Sequence, residues 1–275
     1  MTDVFAEAAL RAEQLLSRLA AAPVVVLTGV VDASGVSGGR LRGGAWTMHF
    51  SFAGWRLGHD DIDARRLTVR QPVQRQALDA FRAQIKPYAV LGVRARFLDD
   101  EEFGGPQAFL EAVIGEELHD CDLHRLADEL QQPVTLSDDV LGVLRFDPRV
   151  DWFSGEVVWG SGTVRVHLHP GGDGELRTAL RVAHALWDDQ GRWTMQVREF
   201  AAARLLALKN DSWRDDDEPT VTANEFAEKL DVEAVTVDAD GAFEFWCRDG
   251  GLFAGHAVLV RGTLEDGLQG AEMAG

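Results

Sequence analysis

The sequence predicts an α+β protein in two parts. The C-terminal part is an antiparallel sheet with helices inserted between two groups of three strands, and a smaller β-rich part of the OB type precedes it. Three observations carry this. Short segments in both halves alternate apolar and polar residues at period two, while longer segments repeat apolar residues every three or four positions. Gln131-Gln132-Pro133 breaks the chain between a helix-favouring tract and the next strand, setting domains at 1–133 and 134–275.

In the first part, Phe5, Ala9, Ala12, Leu16 and Leu19 mark a helix over 3–21 that Pro23 ends. A β-branched run from Val24 to Val31 follows, then a flexible turn containing Gly35, Gly38 and Gly39. Trp46, Met48, Phe50 and Phe52 alternate as one face of a strand. Arg66 to Val69 reads as a strand, Gln74 to Gln84 as a helix, and Tyr88 to Phe97 as a long strand. Several strands around one helix suggest a small curved sheet or open barrel. The acidic tract from Pro106 to Leu130 favours helix.

In the second part, Asp139 to Phe146, Trp152 to Trp159 and Thr163 to His169 read as strands, with Gly160-Ser161-Gly162 turning the last pair into a hairpin. Pro170 to Gly174 closes the group. Helices follow at 175–190 and 193–209, and Thr222-Ala223-Asn224-Glu225 fits a capping box that opens a third, short one. Val232 to Val237, Ala242 to Arg248 and Phe253 to Leu264 form the second strand group.

From about Asp138 onward the chain resembles the DUF2262 family, a bacterial domain of unknown function. The resemblance rests on Asp139-Val140-Leu141-Gly142, Asp151-Trp152-Phe153-Ser154-Gly155 and Lys209-Asn210-Asp211-Ser212-Trp213. It continues through Asp240 to Trp246, Phe253-Ala254-Gly255-His256 and the closing Ala274-Gly275. It implies a bacterial α+β domain and carries no catalytic residue with it.

Composition narrows the function. The 275 residues are 46% hydrophobic and 26% charged, which fits a globular chain. The longest apolar run, Leu19 to Leu27, contains Pro23 and falls far short of the ~20 residues of a spanning helix. The start of the chain is acidic and then amphipathic, unlike a secretory signal, and two cysteines make no disulfide framework, so the expected location is cytoplasmic. The formal charge is −18, unevenly spread: residues 1–134 hold 14 bases and 19 acids, residues 135–275 hold 13 and 26. Such a chain repels phosphate and anionic lipid and attracts cationic partners. Arg65, Arg66, Arg70 and Arg75 form the densest basic cluster, but Asp60, Asp61 and Asp63 precede it, so nucleic acid is not an expected partner.

Three groups stand out as candidate sites, each beside a simpler reading. His119, Cys121 and His124, among Glu116, Glu117, Asp120 and Asp122, form a dense set of metal-ligating types; an exposed acidic helix with incidental histidines is the simpler reading and the one expected. His167 and His169 share one strand face and would converge with His256 if its strand adjoined; otherwise they decorate a solvated sheet. Trp213 followed by Asp215, Asp216 and Asp217 is a candidate partner contact, or a carboxylate run favoured by the dipole of the helix that follows. Phe243, Phe245 and Cys247 occupy one strand face and leave Trp246 on the other, where it becomes a contact candidate if the phenylalanine face is the core. No nucleophile elbow, Walker loop, dinucleotide fingerprint or His-Glu-x-x-His motif occurs.

The expected function is therefore a protein-binding or regulatory module, immunity-like, that engages a cationic protein without catalysis or a cofactor. One alternative is a metal-assisted hydrolase using His167, His169 and His256 or the His119 group. A second is single-strand binding by the first part, with Arg94 and Arg96 beside Trp46 and Phe50.

Overall fold

The computed structural model describes residues 2–40, 46–171, 175–215 and 217–275, with side chains from Leu10 onward. Contacts divide the chain into two units, Met1–Gln132 and Pro133–Gly275. Among the described residues no helix is long and apolar enough to cross a membrane.

The N-terminal unit begins with helix α1 (Thr2–Ala21), followed by β1 (Val24–Val31), β2 (Ser37–Arg40), β3 (Trp46–Leu57) and β4 (Leu67–Val73). A 3-10 turn then leads into α2 (Leu78–Gln84), β5 (Val90–Asp100), β6 (Gly105–Glu116) and α3 (Cys121–Leu130). β1 pairs antiparallel with both β3 and β5; β3 pairs with β4, β5 with β6, and β4 runs parallel to β6. These five strands close into a Greek-key barrel of the OB type, with β2 added at β3. Phe50, Phe52, Leu67, Val69, Leu91 and Val93 fill the interior. Gly29 is required where β1 meets β3, because a Cβ there would lie 2.7 Å from the Phe52 ring and 2.9 Å from the Gly54 carbonyl oxygen.

One expectation is overturned here. Residues 106–116, read as helix-favouring, form the inner strand β6, and helix begins at Cys121. Ala, Leu and Glu suit a helix, yet alternation of buried Ala108 and Leu110 with less buried Phe109 and Glu111 fits a strand with partners on both sides. Tertiary pairing decides against local propensity.

The C-terminal unit runs β7 (Thr135–Asp138), β8 (Gly142–Asp147), β9 (Trp152–Trp159), β10 (Gly162–Leu168), α4 (Glu175–Asp188), α5 (Gln190–Ser212) and α6 (Ala223–Lys229). It closes with β11 (Asp231–Val237), β12 (Phe243–Arg248), β13 (Ala257–Thr263) and β14 (Gly267–Ala274). The eight strands lie side by side in chain order, antiparallel except where β10 and β11 pair in parallel. The architecture is the α+β sheet with inserted helices, but each group has four strands, and the helical connection makes the central pair parallel. A connection that crosses the sheet through helices returns the chain in its original direction. The added edge strands β7 and β14 are short or glycine-containing and carry weak alternation, which hid them.

Two aspartates make the strands after them start later than alternation suggests. Asp138 accepts the N–H groups of Val140 and Leu141, both at 2.9 Å, so β8 starts only at Gly142. Asp249 accepts the N–H groups of Gly251, Phe253 and Gly255 at 3.2, 2.6 and 3.1 Å, which folds 249–256 into a turn before β13.

Helices α4 and α5 cover one face of this sheet. Val164, Val166 and Leu168 of β10 point into the same core as Val182 and Leu186 of α4 and Val197 of α5. Trp159, Trp187 and Trp193 are core residues; the Trp159 and Trp187 rings lie 4.9 Å apart, edge to face. Their indole N–H groups find acceptors where they are buried, Trp159 donating to Thr194 Oγ1 and Trp187 to the Val158 carbonyl. Cys247 lies in this core, and burial pushes its thiol up to about 12.

Replacing Asp249 with Ala strips three N–H donors of their acceptor and is expected to cost about 3 kcal/mol, while Asp215→Ala on the exposed surface changes stability by less than about 0.5 kcal/mol. Urea unfolding of the two variants tests this, and equal midpoints would show that the Asp249 turn does not hold β13 in place.

Candidate functional site

Among the described residues, no helix or strand of the same unit lies over the face of the C-terminal sheet opposite the helices. Val143 of β8 and Val158 of β9 stand on it 63% and 62% exposed. On this face a groove of about 330 Å³ runs across β9 to β13, lined by Trp152, Arg165, His167, Thr236, Glu244 and Trp246 among others. Strand alternation puts Trp152 here, because its neighbour Phe153 turns into the core. Trp246 is opposed across its strand pairs by Ala234 and Leu259, both nearly buried, so its ring stands in a small apolar patch on the uncovered side.

Trp152 anchors the histidines. Its ring lies 4.5 Å from that of His167, tilted by 31°, and 5.3 Å from that of His169, edge-on. His167 Nδ1 is sealed from solvent and meets no hydrogen-bond partner among the described residues. Burial lowers the pKa of His167, and the nearby charges of Arg165 and His169 lower it further. Acids occupy the rest of the groove. Glu233 pairs with Arg165 at 2.9 Å, Glu244 with Arg261 at 3.1 Å, and Asp238 lies 3.7 Å from His169 Nε2. The arrangement supplies flat aromatic surface, paired charges and a neutral imidazole, which is the chemistry of recognition.

The structure separates the residues grouped from the sequence as metal candidates. β13 stands three places from β10, so His256 does not adjoin His167 and His169; its ring packs edge-on against Trp213 at 5.4 Å. His119 precedes α3 and projects into solvent, Cys121 is exposed, and His124 Nε2 is 2.7 Å from the Glu117 carbonyl oxygen. Helix starts only at Cys121, so Glu116, Glu117 and His119 do not lie on one helix with Cys121 and His124. Asp120 caps α3, accepting from the Leu123 N–H, and pairs with Arg56. Among the described residues no three of His, Cys, Asp and Glu gather to hold a metal.

Trp213 is half-buried against Phe253 and His256, and so supports the turn ahead of β13. Asp215 and Asp217 are exposed, and Asp216 lies outside the described residues. Glu218, not read as special, pairs at 2.7 Å with the fully buried Lys209, whose ammonium also donates to the Trp213 carbonyl. Thr222 and Glu225 form the expected capping box. In the N-terminal unit Phe50 is in the barrel core, and Arg94 and Arg96 are both paired with Glu111, so the groove imagined for these residues is not assembled.

Arg165, Glu233 and Asp238 escaped sequence reasoning because they meet only through the parallel pairing of β10 with β11, whose register partners, such as His167 and Thr236, lie 69 residues apart. The His184–Asp138 contact, at 2.9 and 3.0 Å, joins helix α4 to the edge strand β7 across 46 residues, which spacing along the chain does not reveal either.

The two units define a class of two-part protein in which an OB-type barrel precedes a mixed sheet clothed by helices on one side. Residues 138–273 match the family model described as an uncharacterized protein conserved in bacteria, DUF2262, and the C-terminal half of the chain belongs to that family. Residues 12–130 match a second model, a domain of unknown function, DUF7021. None of the curated proteins matches the chain. Among solved structures, the small single-stranded DNA-binding protein from Streptomyces coelicolor is 17% identical, covering 35% of this chain and 93% of that one, with a TM-score of 0.26. The single-stranded DNA-binding protein from Thermus aquaticus is 14% identical over 53% of this chain and 72% of that one, with a TM-score of 0.24. These scores carry nothing of the neighbours' binding to this chain.

The pH dependence of His167 follows from its lowered pKa. The unfolded chain takes up the proton first, near the ordinary value of 6.5, so stability is complete above that pH and falls as acid is added until the folded midpoint is passed. Denaturant unfolding between pH 7.5 and 5 is expected to show a shallower loss in His167→Phe than in the parent protein, and parallel losses would refute the assignment.

Proposed function

We propose that the C-terminal unit is a binding module that takes a cationic segment of a partner protein across the uncovered face of its sheet and regulates that partner. One observation carries the reading: two tryptophans, Trp152 and Trp246, stand on the same uncovered face, in a groove whose charged lining is three carboxylates against one arginine. Tryptophan is the favoured anchor of interface hot spots and the best face for a cation. Glu233 and Glu244 are already tied to Arg165 and Arg261, whose side chains are 58% and 51% exposed, and Asp238 lies 3.7 Å from His169. An incoming guanidinium or ammonium exchanges with them and leaves no buried charge behind. The charge of −13 over residues 135–275 draws such a partner from a distance.

Affinity purification from the native host at low and high salt tests this reading. A stoichiometric basic partner is expected at low salt. Trp152→Ala combined with Trp246→Ala is expected to weaken it by at least about 30-fold, the equivalent of ~2 kcal/mol for one lost anchor. Absence of a stoichiometric partner at either salt, or a partner indifferent to both substitutions, overturns it.

A further inference from the structure

The barrel of the N-terminal unit carries a different kind of surface. His49 of β3 and Arg70 of β4 are direct cross-strand partners, and both line a cavity of about 370 Å³ between α1 and the barrel wall. Ala12 and Leu16 of α1 form its apolar side, and Arg40 and Thr47 complete the polar side. Two groups that repel when charged are thus set opposite each other, which destabilises a sheet unless something lies between them.

Arg70 is the unusual member. Other arginines of the barrel meet carboxylates: Arg56 meets Asp120, Arg65 meets Asp99, Arg66 meets Asp32, and Arg94 and Arg96 meet Glu111. Arg70 instead donates to the neutral side-chain oxygen of Gln107 at 2.6 Å, and its Nε is sealed from solvent with no acceptor among the described residues. Burial is the sole influence that moves it, and no carboxylate among the described residues offsets it. A guanidinium keeps its charge under such conditions, and partly burying it without a counterion costs solvation.

We propose that this cavity binds a small ligand bearing an oxyanion, phosphate or carboxylate, with Arg70 as the principal contact and the α1 side holding an apolar portion of the ligand. The anion pairs with the Arg70 guanidinium from the cavity side and lies against His49. His49 supports the reading: burial lowers its pKa first, then the charges of Arg70 and Arg66, against the opposing pull of Asp32. A bound anion offsets those two arginines and makes the imidazole easier to protonate.

The test is calorimetry and NMR titration of His49 in the full chain, with inorganic phosphate in one arm and hexanoate in the other. Saturable one-to-one binding of either, with an upward shift of the His49 midpoint, is expected; the arm that binds assigns the anionic group. Arg70→Gln is expected to weaken that binding at least about tenfold without lowering Tm, since it removes an uncompensated charge, and Arg70→Lys is expected to retain part of it. If Arg70→Gln fails to fold, the His49 shift in the parent protein and the Arg70→Lys affinity still decide. A flat response to both anions, or undiminished binding by the Arg70 variants, overturns the proposal. So does binding of oligothymidylate alone, which would make the face a strand-binding groove.

Discussion

A single crossing of the sheet by the chain governs the C-terminal unit. Between β10 and β11 the chain passes through α4, α5 and α6, and every other neighbouring pair of strands is antiparallel. One crossing can clothe one face. The helices bury Val166, Val235, Phe243 and Phe245 on that side, and among the described residues of the unit no element packs over Trp152 and Trp246 on the other. The same parallel pairing brings Arg165 beside Glu233, so the groove and its charge pairs descend from one topological event.

The polar groups fall into two uses. Asp138, Asp249 and Lys209 are spent on backbone: the aspartates gather N–H groups at turns, and the lysine ties the end of α5 to the loop that follows. Asn210 completes that clasp, exchanging two hydrogen bonds of 2.9 Å with Val221. These residues lie within or beside the stretches that carry the family resemblance, so much of the resemblance is turn chemistry. The groove charges, by contrast, pair across strands and remain accessible, where an exposed pair is worth only about 0–1 kcal/mol and exchanges readily.

How much was legible in the sequence follows from which signals are local. Period two in Phe243-Glu244-Phe245-Trp246-Cys247 was enough to put Trp246 opposite the core, and Thr222 with Glu225 was enough to start α6. The strand β6 was not legible, because its Ala, Leu and Glu content resembles a helix until β4 and β5 are placed beside it. Convergence of histidines depended on strand order, which spacing along the chain does not contain. The tryptophans needed both kinds of information: Trp159, Trp187 and Trp193 have the same composition cue as Trp152, and only the placement of the helices tells core from surface.

The two cysteines occupy opposite extremes of reactivity. Cys247 is sealed among core side chains with its thiol held protonated, whereas Cys121 opens α3 in contact with solvent. A thiol-directed dye or spin label would therefore enter the natural protein at one position, on the barrel unit and on a different unit from the groove. The chain brings its own attachment point for a reporter group, with no engineered residue.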